Sequence, residues 1–417
     1  MQDTDEVARE TKTRRLSGRI HVLGLGNVGT FVAHSIAGRQ SPPLMTLLLH
    51  NTDLYKSWVE KRGCLAIQKH GLDDLKSGFD ITVKGGDNIW YSLPNKEQYG
   101  APGNAEQDTE WDKKATDEEI EATLAQSVEN DSIIECLIVA VKAPQTVRAL
   151  RSVRHRLTRD STVLLLQNGM GAIDELNRRL FKHPDNRPHY MAGVISHGLA
   201  QKTPFQVAHT GVGTTILSPV PARDGATMTS SDEADWAPTT KYLLRTLTLT
   251  PPLVAVAETP SSILLYQLEK LAMNAVINPL TSLMECRNGE ILYNYKFTRI
   301  MRLLLIEISS VIRALPELQG IPGIETRFAP ERLRWLVVQL ANKTGNNVSS
   351  MLSDVLGGRQ TEILYINGYI VRRGEELGIK CVVNYMMVQM VQAKQEMLQS
   401  RESGAIPLDL AEFEAED

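Results

Sequence analysis

Cysteine is scarce: four in 417 residues, and Cys64, Cys136, Cys286 and Cys381 lie far apart, with no Cys-x-x-Cys pair and no histidine at metal-ligand spacing. That argues against a zinc site or a disulfide framework, and no metal is expected. No apolar run approaches the roughly 18 residues a membrane helix needs. The N-terminus, with Asp3, Asp5, Glu6 and Glu10, lacks the apolar core of a signal peptide. No membrane association is expected, and the compartment is expected to be reducing: the cytoplasm, with the mitochondrion as the alternative. Asn342-Lys-Thr344 and Asn347-Val-Ser349 match the glycosylation pattern but carry no such meaning without a secretory route. Basic surplus is also missing: Lys+Arg 45 against Asp+Glu 49 gives a net charge of −4, so no nucleic-acid partner is expected.

What remains is the composition of an ordinary globular protein, 42% hydrophobic and 23% charged, long enough for two domains or three. Residues 1–18 are polar and read as a disordered leader. Arg19–Gly24 is a short apolar, β-branched run that stops at glycine, Val28–Ala37 has helical spacing, and Leu44–Leu49 is a second buried-strand candidate. Strand, helix and strand make a βαβ unit. Ile133–Val141 and Ser161–Leu166 are apolar enough for strands covered on both faces, with a helical stretch over 146–156 between them. Val207–Leu217 and Thr246–Ala257 read as extended pieces at the edge of the same domain.

An acidic insertion over about 91–131 interrupts this region. From Lys96 to Asp131 it holds eleven acids against three lysines, so the rest of the chain sums to about +4. Its first half reads as a loop and 116–127 as a short acidic helix. Beyond about 258 strand candidates stop, and 261–277, 296–315, 331–342, 360–377 and 384–400 carry apolar residues at three-and-four spacing. The predicted fold class is α/β: a Rossmann-type dinucleotide-binding domain over 19–257, an all-helical domain over 258–401, and a flexible tail over 402–417.

Gly24-Leu25-Gly26-Asn27-Val28-Gly29 follows a strand and opens a helix. Gly24 permits the tight turn, Gly26 admits a pyrophosphate to the backbone, and Gly29 lets helix and strand pack closely. The alternative is a tight turn with no ligand. The second strand ends Leu49-His50-Asn51 with no acid at its tip, which favours NADP over NAD, although Asp53 lies near and His50 can equally be a plain surface residue. Lys142 and Asn168 each follow a strand, at the sheet edge where α/β proteins bind ligands. Lys270, Asn274 and Asn278 recur every four residues and share a helix face, which either faces solvent or lines a polar cleft. Pro279 is expected to end or kink that helix. Asn347-Val-Ser-Ser350 reads as a helix cap if it has no further role, and Glu362 as an ordinary helix acid.

Together these stretches resemble the ketopantoate reductase family. They are Gly24–Gly29, Val141-Lys-Ala143, Leu166-Gln-Asn-Gly-Met-Gly171, Glu269-Lys-Leu-Ala-Met-Asn-Ala-Val-Ile-Asn-Pro-Leu-Thr281, Asn288-Gly289, Asn347–Leu352 and Thr361–Gly368, in family order. The resemblance implies NADPH-dependent reduction of 2-dehydropantoate to (R)-pantoate, on the way to pantothenate and coenzyme A. It implies Lys270 as proton donor, with Glu362 near it and the cofactor. It implies Lys142 and Asn168 on the nicotinamide side, with Asn168, Asn274, Asn278, Asn288, Ser350 and, more weakly, Asn347 against the substrate. The expected partner is a small-molecule 2-oxo acid, and a homodimer is compatible with it. Where many relatives carry an arginine at the end of the second strand, this chain has His50. Two other readings stay open at this level: a reductase of another 2-oxo acid, and a non-catalytic nucleotide-binding protein docked through its acidic insertion.

Overall fold

The computed structural model describes residues 16–93, 117–221 and 236–402. The expected leader up to residue 15, the loop half of the acidic insertion at 94–116 and the tail from 403 lie outside the described residues.

The first half opens with β1 (Ile20–Leu23), α1 (Asn27–Ala37), β2 (Met45–Leu49), α2 (Thr52–Glu60), β3 (Leu65–Lys69), β4 (Leu72–Lys76), β5 (Asp80–Lys84) and β6 (Trp90–Ser92). It continues with α3 (Asp117–Ala125), β7 (Val128–Glu129), β8 (Cys136–Val139), α4 (Thr146–Val153), β9 (Thr162–Leu165), α5 (Ala172–Arg179) and β10 (His189–Ile195). It ends with β11 (Gly198–Thr203), β12 (Gln206–Gly211), β13 (Thr215–Pro219), α6 (Pro238–Thr248) and β14 (Ala255–Ala257). Ten strands form one sheet in the order β14-β13-β10-β9-β8-β1-β2-β5-β6-β7. The run from β10 to β5 is parallel throughout. Strand reversal occurs only towards the edges, where β13 runs against β10 and β6 against β5.

The alternation of side chains sorts this sheet into two cores. Ile20, Val22, Leu47, Leu49, Ile81, Val83 and Ile138 pack on the α1 side. Leu23, Leu48, Leu137, Val139, Val163 and Leu165 pack with Val147, Leu150 and Leu176 of α4 and α5 on the other. Both faces are therefore covered, which explains the near-continuous apolar runs in these strands.

Two features depart from the sequence expectation. The first is a second sheet, β11-β12-β3-β4, laid against the outer side of α1. His34 of α1 contacts the Asp74 carbonyl of β4 through Nε2 at 2.8 Å, and Phe31 lies 4.8 Å from the His197 ring, centroid to centroid. The β4 sequence Leu-Asp-Asp-Leu-Lys is almost fully exposed, so no buried pattern betrays it. The second is the stretch 246–257 read as extended: its first three residues close α6, and Pro251–Leu253 form a single 3-10 turn. Thr246 and Thr248 close helical turns there through their hydroxyls, leaving only 255–257 as strand, at the sheet edge.

From Pro260 onwards, among the described residues, the chain is helical: α7 (Pro260–Met284), α8 (Tyr295–Arg313), α9 (Ile324–Arg327), α10 (Pro330–Lys343), α11 (Ser350–Leu356), α12 (Asn367–Glu376) and α13 (Val382–Glu402). Helix α7 is the axis, packed by α8, α10, α11 and α13, with Leu268, Leu271, Ala275 and Val276 buried in the shared core. Pro279 does not end it; the helix runs on to Met284. Proline has no N–H to give the carbonyl four residues back. That carbonyl, on Ala275, instead accepts 2.8 Å from the Asn367 side-chain amide, and Asn367 is itself fully buried. A tertiary hydrogen bond thus replaces the helical one and lets the turn continue. Helix α12 also begins later than the spacing suggested, at Asn367, because 361–366 forms a separate bridge to the sheet domain. There the Met170 N–H donates to the Tyr365 carbonyl at 2.9 Å, and the Tyr365 hydroxyl to Glu175.

Candidate active site

The glycine turn sits at the carboxyl edge of the parallel strands, between β1 and α1. Gly24 has φ +97°, and a Cβ there would lie 2.6 Å from the Val141 nitrogen, so only glycine fits. A Cβ on Gly29 would strike the Gly24 carbonyl. Gly26 differs: among the described residues no atom lies within 4 Å of the Cβ it lacks. The backbone at the N-terminus of α1 is therefore open to close approach, as an anionic pyrophosphate requires. Leu25 and Val28 contribute backbone here while their side chains join the core. The Asn27 amide donates to the Leu199 carbonyl at 3.3 Å, and its Oδ1 is buried with no partner. These features fit a dinucleotide.

Farther along the same edge, the turn after β8 brings Lys142 and Ala143, and the turn after β9 brings Asn168. Both turns meet Glu362 of the helical domain. The Ala143 N–H donates to Glu362 Oε1 and the Asn168 amide to Oε2, each at 3.1 Å. Glu362 is only 7% exposed. Burial raises its pKa; the two donors and the Lys142 charge oppose that rise, while Asp354 adds to it. Lys142 forms an ion pair with Asp354, a buried residue of α11 that also accepts from Arg359 Nε at 3.3 Å.

Lys270, on α7, donates from Nζ to the Ile195 carbonyl at the end of β10, at 2.6 Å. Burial drives its pKa down to about 8, and Glu362 partly offsets that fall. An ammonium so poised is protonated below that value and gives up its proton more readily than a solvated lysine. Asn274 lies one turn farther along α7, half-buried, and Asn278 another turn on, buried.

The remaining residues are positioned by the loops beside α7. Asn288 is buried, donates to Thr344 Oγ1 at 3.0 Å, and leaves its Oδ1 without a partner. Its N–H donates to the Asn347 carbonyl, while the Asn347 side chain is exposed. Neither Asn347 nor Ser350 caps α11. The cap is Ser349, whose buried Oγ accepts from the Leu352 N–H at 3.1 Å and from Thr281 Oγ1 at 2.7 Å. Ser350 is left exposed as the first residue of the helix. His50 stands apart from this group, exposed at the tip of β2, nearer the glycine turn.

Sequence reasoning did not single out Ser349, Asp354 or the Ile195 carbonyl. Ser349 lies beside a serine of the same type, Asp354 is a lone acid in a short apolar stretch, and a backbone carbonyl carries no residue signature.

A parallel dinucleotide sheet joined edge-on to a helical domain, with lysine, glutamate and carboxamides at the seam, defines a two-domain nucleotide-dependent oxidoreductase. The family model for ketopantoate reductase PanE/ApbA matches residues 20–222, and that for its C-terminal domain matches 262–395. The chain belongs to the ketopantoate reductase family. A protein named "Probable 2-dehydropantoate 2-reductase" from Schizosaccharomyces pombe is 28% identical over 383 residues, 91% of this chain and 97% of that one. The 2-dehydropantoate 2-reductase of Vibrio cholerae is 32% identical over 63% of this chain and 78% of its own, and "Ketoisovalerate reductase BEA2" of Gibberella fujikuroi 27% identical over 85% and 77%. Among solved structures, D-mandelate dehydrogenase with NADH and anilino(oxo)acetate shares the fold at TM-score 0.61 and 18% identity, covering 91% of this chain and 99% of its own. Among the described residues, no helix is long and apolar enough to cross a membrane.

Proposed function

We propose that the protein reduces 2-dehydropantoate to (R)-pantoate with NADPH, in the cytoplasm, as a step towards pantothenate and coenzyme A. The observation that carries the reading is the desolvated Lys270 ammonium at the seam, opposite the Glu362, Asn168 and Ala143 cluster. When bound, the reduced nicotinamide supplies the hydride to the ketone carbon. Negative charge then grows on the ketone oxygen, and Lys270 stabilises it and delivers the proton, to be recharged from solvent. Glu362 holds the lysine in its charged form and, through Ala143 and Asn168, keeps the two strand-end turns in place. Lys142 and Asn168 face the nicotinamide end, with Gly24–Gly29 and His50 along the rest of the cofactor. Asn274, Asn278, Asn288 and Ser350 bond the substrate's carboxylate and hydroxyl without adding charge beside the lysine, and Asn347 contributes from the neighbouring loop.

Steady-state kinetics with NADPH and NADH on 2-dehydropantoate test this directly. Absence of NADPH oxidation would overturn it. A second reading has an observation of its own: relatives of comparable identity are named ketoisovalerate reductases. Ketoisovalerate lacks the hydroxymethyl group of ketopantoate, so a site that bonds that hydroxyl discriminates strongly between the two. Comparing kcat/KM on both acids separates the readings.

A further inference from the structure

We propose that Arg148, Lys84 and His50 form a three-residue clamp for the adenosine 2′-phosphate of the cofactor, with the fixed charge supplied from α4 and β5 instead of from the tip of β2. The inference rests on the reading of Gly24–Gly29 as the pyrophosphate turn.

Strand alternation puts His50 and Lys84 on one face of the sheet. In β2, Leu47 and Leu49 face α1 and Leu48 faces α4, so His50 continues the α4 side. In β5, Ile81 and Val83 face α1, so Lys84 shares that side as well. Leu49 pairs with Val83, which makes His50 and Lys84 neighbours at the ends of adjacent strands. Lys84 in turn is paired with Trp90 of β6, and the Trp90 indole N–H donates to the Ser152 carbonyl of α4 at 3.0 Å. That bond ties α4 over this corner, and Arg148, one turn before Ser152, lies on the same helix face. Partial desolvation, with the charges of Arg148 and Lys84 close by, lowers the His50 pKa, in accord with the placement.

His50 and Arg148 are exposed and Lys84 is half-buried, and neither cation has an ion-pair partner among the described residues. Three groups capable of positive charge without a neutralising acid make an anion site, and a guanidinium meets a phosphate bidentately. Asp53, the acid near this tip, belongs to the first turn of α2, whose Tyr55 and Trp58 are buried on the α1 side. Among the described residues, the charges that act on His50 are those of Arg148 and Lys84, with no carboxylate among them. A neutral histidine alone would be a weak phosphate ligand near pH 7, so the arginine is the expected determinant.

The test is calorimetric binding of 2′,5′-ADP and 5′-AMP to the purified full-length chain, without turnover. The wild type is expected to bind 2′,5′-ADP at least about tenfold more tightly. Arg148→Ala should remove most of that margin, Arg148→Lys should retain part of it, and Lys84→Ala should reduce it by a smaller factor. The 5′-AMP affinity and the melting temperature report whether each variant is folded. A wild-type margin that survives both alanine variants overturns the clamp but leaves NADP use standing. A wild type with no margin overturns the clamp together with the NADP assignment, leaving the reduction itself to the kinetic test.

Discussion

Replacing Glu362 by glutamine removes a negative charge while keeping the side chain's shape. Glutamine Oε1 can still accept the Ala143 N–H, and the Asn168 amide can turn to present its oxygen, so the 3.1 Å contacts need not be lost. What disappears is the charge that holds the Lys270 pKa up near 8 against burial. A close opposite charge is worth about one to three pKa units, and partial solvent access brings that to about one here. The lysine of Glu362→Gln should thus titrate near pH 7, leaving about a tenth of it protonated at pH 8 against about half in the wild type, a fivefold difference. With Lys270 as the proposed proton donor, kcat/KM for the wild type should be level at low pH and fall through about 8. In the variant the fall should begin about one unit lower. The assay is NADPH oxidation with 2-dehydropantoate from about pH 6 to about pH 10, read as the position of the limb and not its height. A limb that stays in place or moves upward would refute the coupling.

Lys270→Ala should cut turnover by about two orders of magnitude or more, measured as kcat at saturating substrate; an unchanged kcat removes the lysine as proton donor. Asn367→Leu should cost about 2–3 kcal/mol in urea unfolding, because the Ala275 carbonyl above Pro279 and Asn384 Oδ1 would both be left buried without a donor. Glu269 is bonded by Arg327 at 3.0 Å and by Arg332 at 2.7 Å. Burial pushes its pKa up, but the two guanidinium groups outweigh that and hold it below the usual carboxylate value. Its contribution to stability is therefore complete above about pH 4.5 and is lost as pH falls through the lower folded value. Glu269→Gln should flatten the acid limb of melting temperature against pH; an unaltered limb means another group controls it.

Much of this was open to reading in the chain itself. A β-branched run that stops at Gly24, apolar strands ending at Val141 and Leu166, and three-and-four spacing after 258 report local preference and burial, which sequence carries directly. The same holds for Gly24 and Gly29, where the backbone excludes every other residue. Lys270, Asn274 and Asn278 were placed on one face by the helix period alone, which is indifferent to what surrounds them.

The tertiary structure decided whatever depends on a partner far along the chain. The strands β3 and β12 pair across about 140 residues, and β4 shows no buried face, so the second sheet leaves no periodic trace. Pro279 is compatible with a continuous α7 only because Asn367 supplies the missing donor. Ser349 and Ser350 have the same chemistry, and only the direction of the chain entering α11 makes one a cap and the other exposed. Sequence determined which residue types stand at the seam; folding set the direction in which their pKa values move, by desolvating Lys270 and setting Glu362 between two strand ends, because dielectric and charge proximity belong to the assembled site.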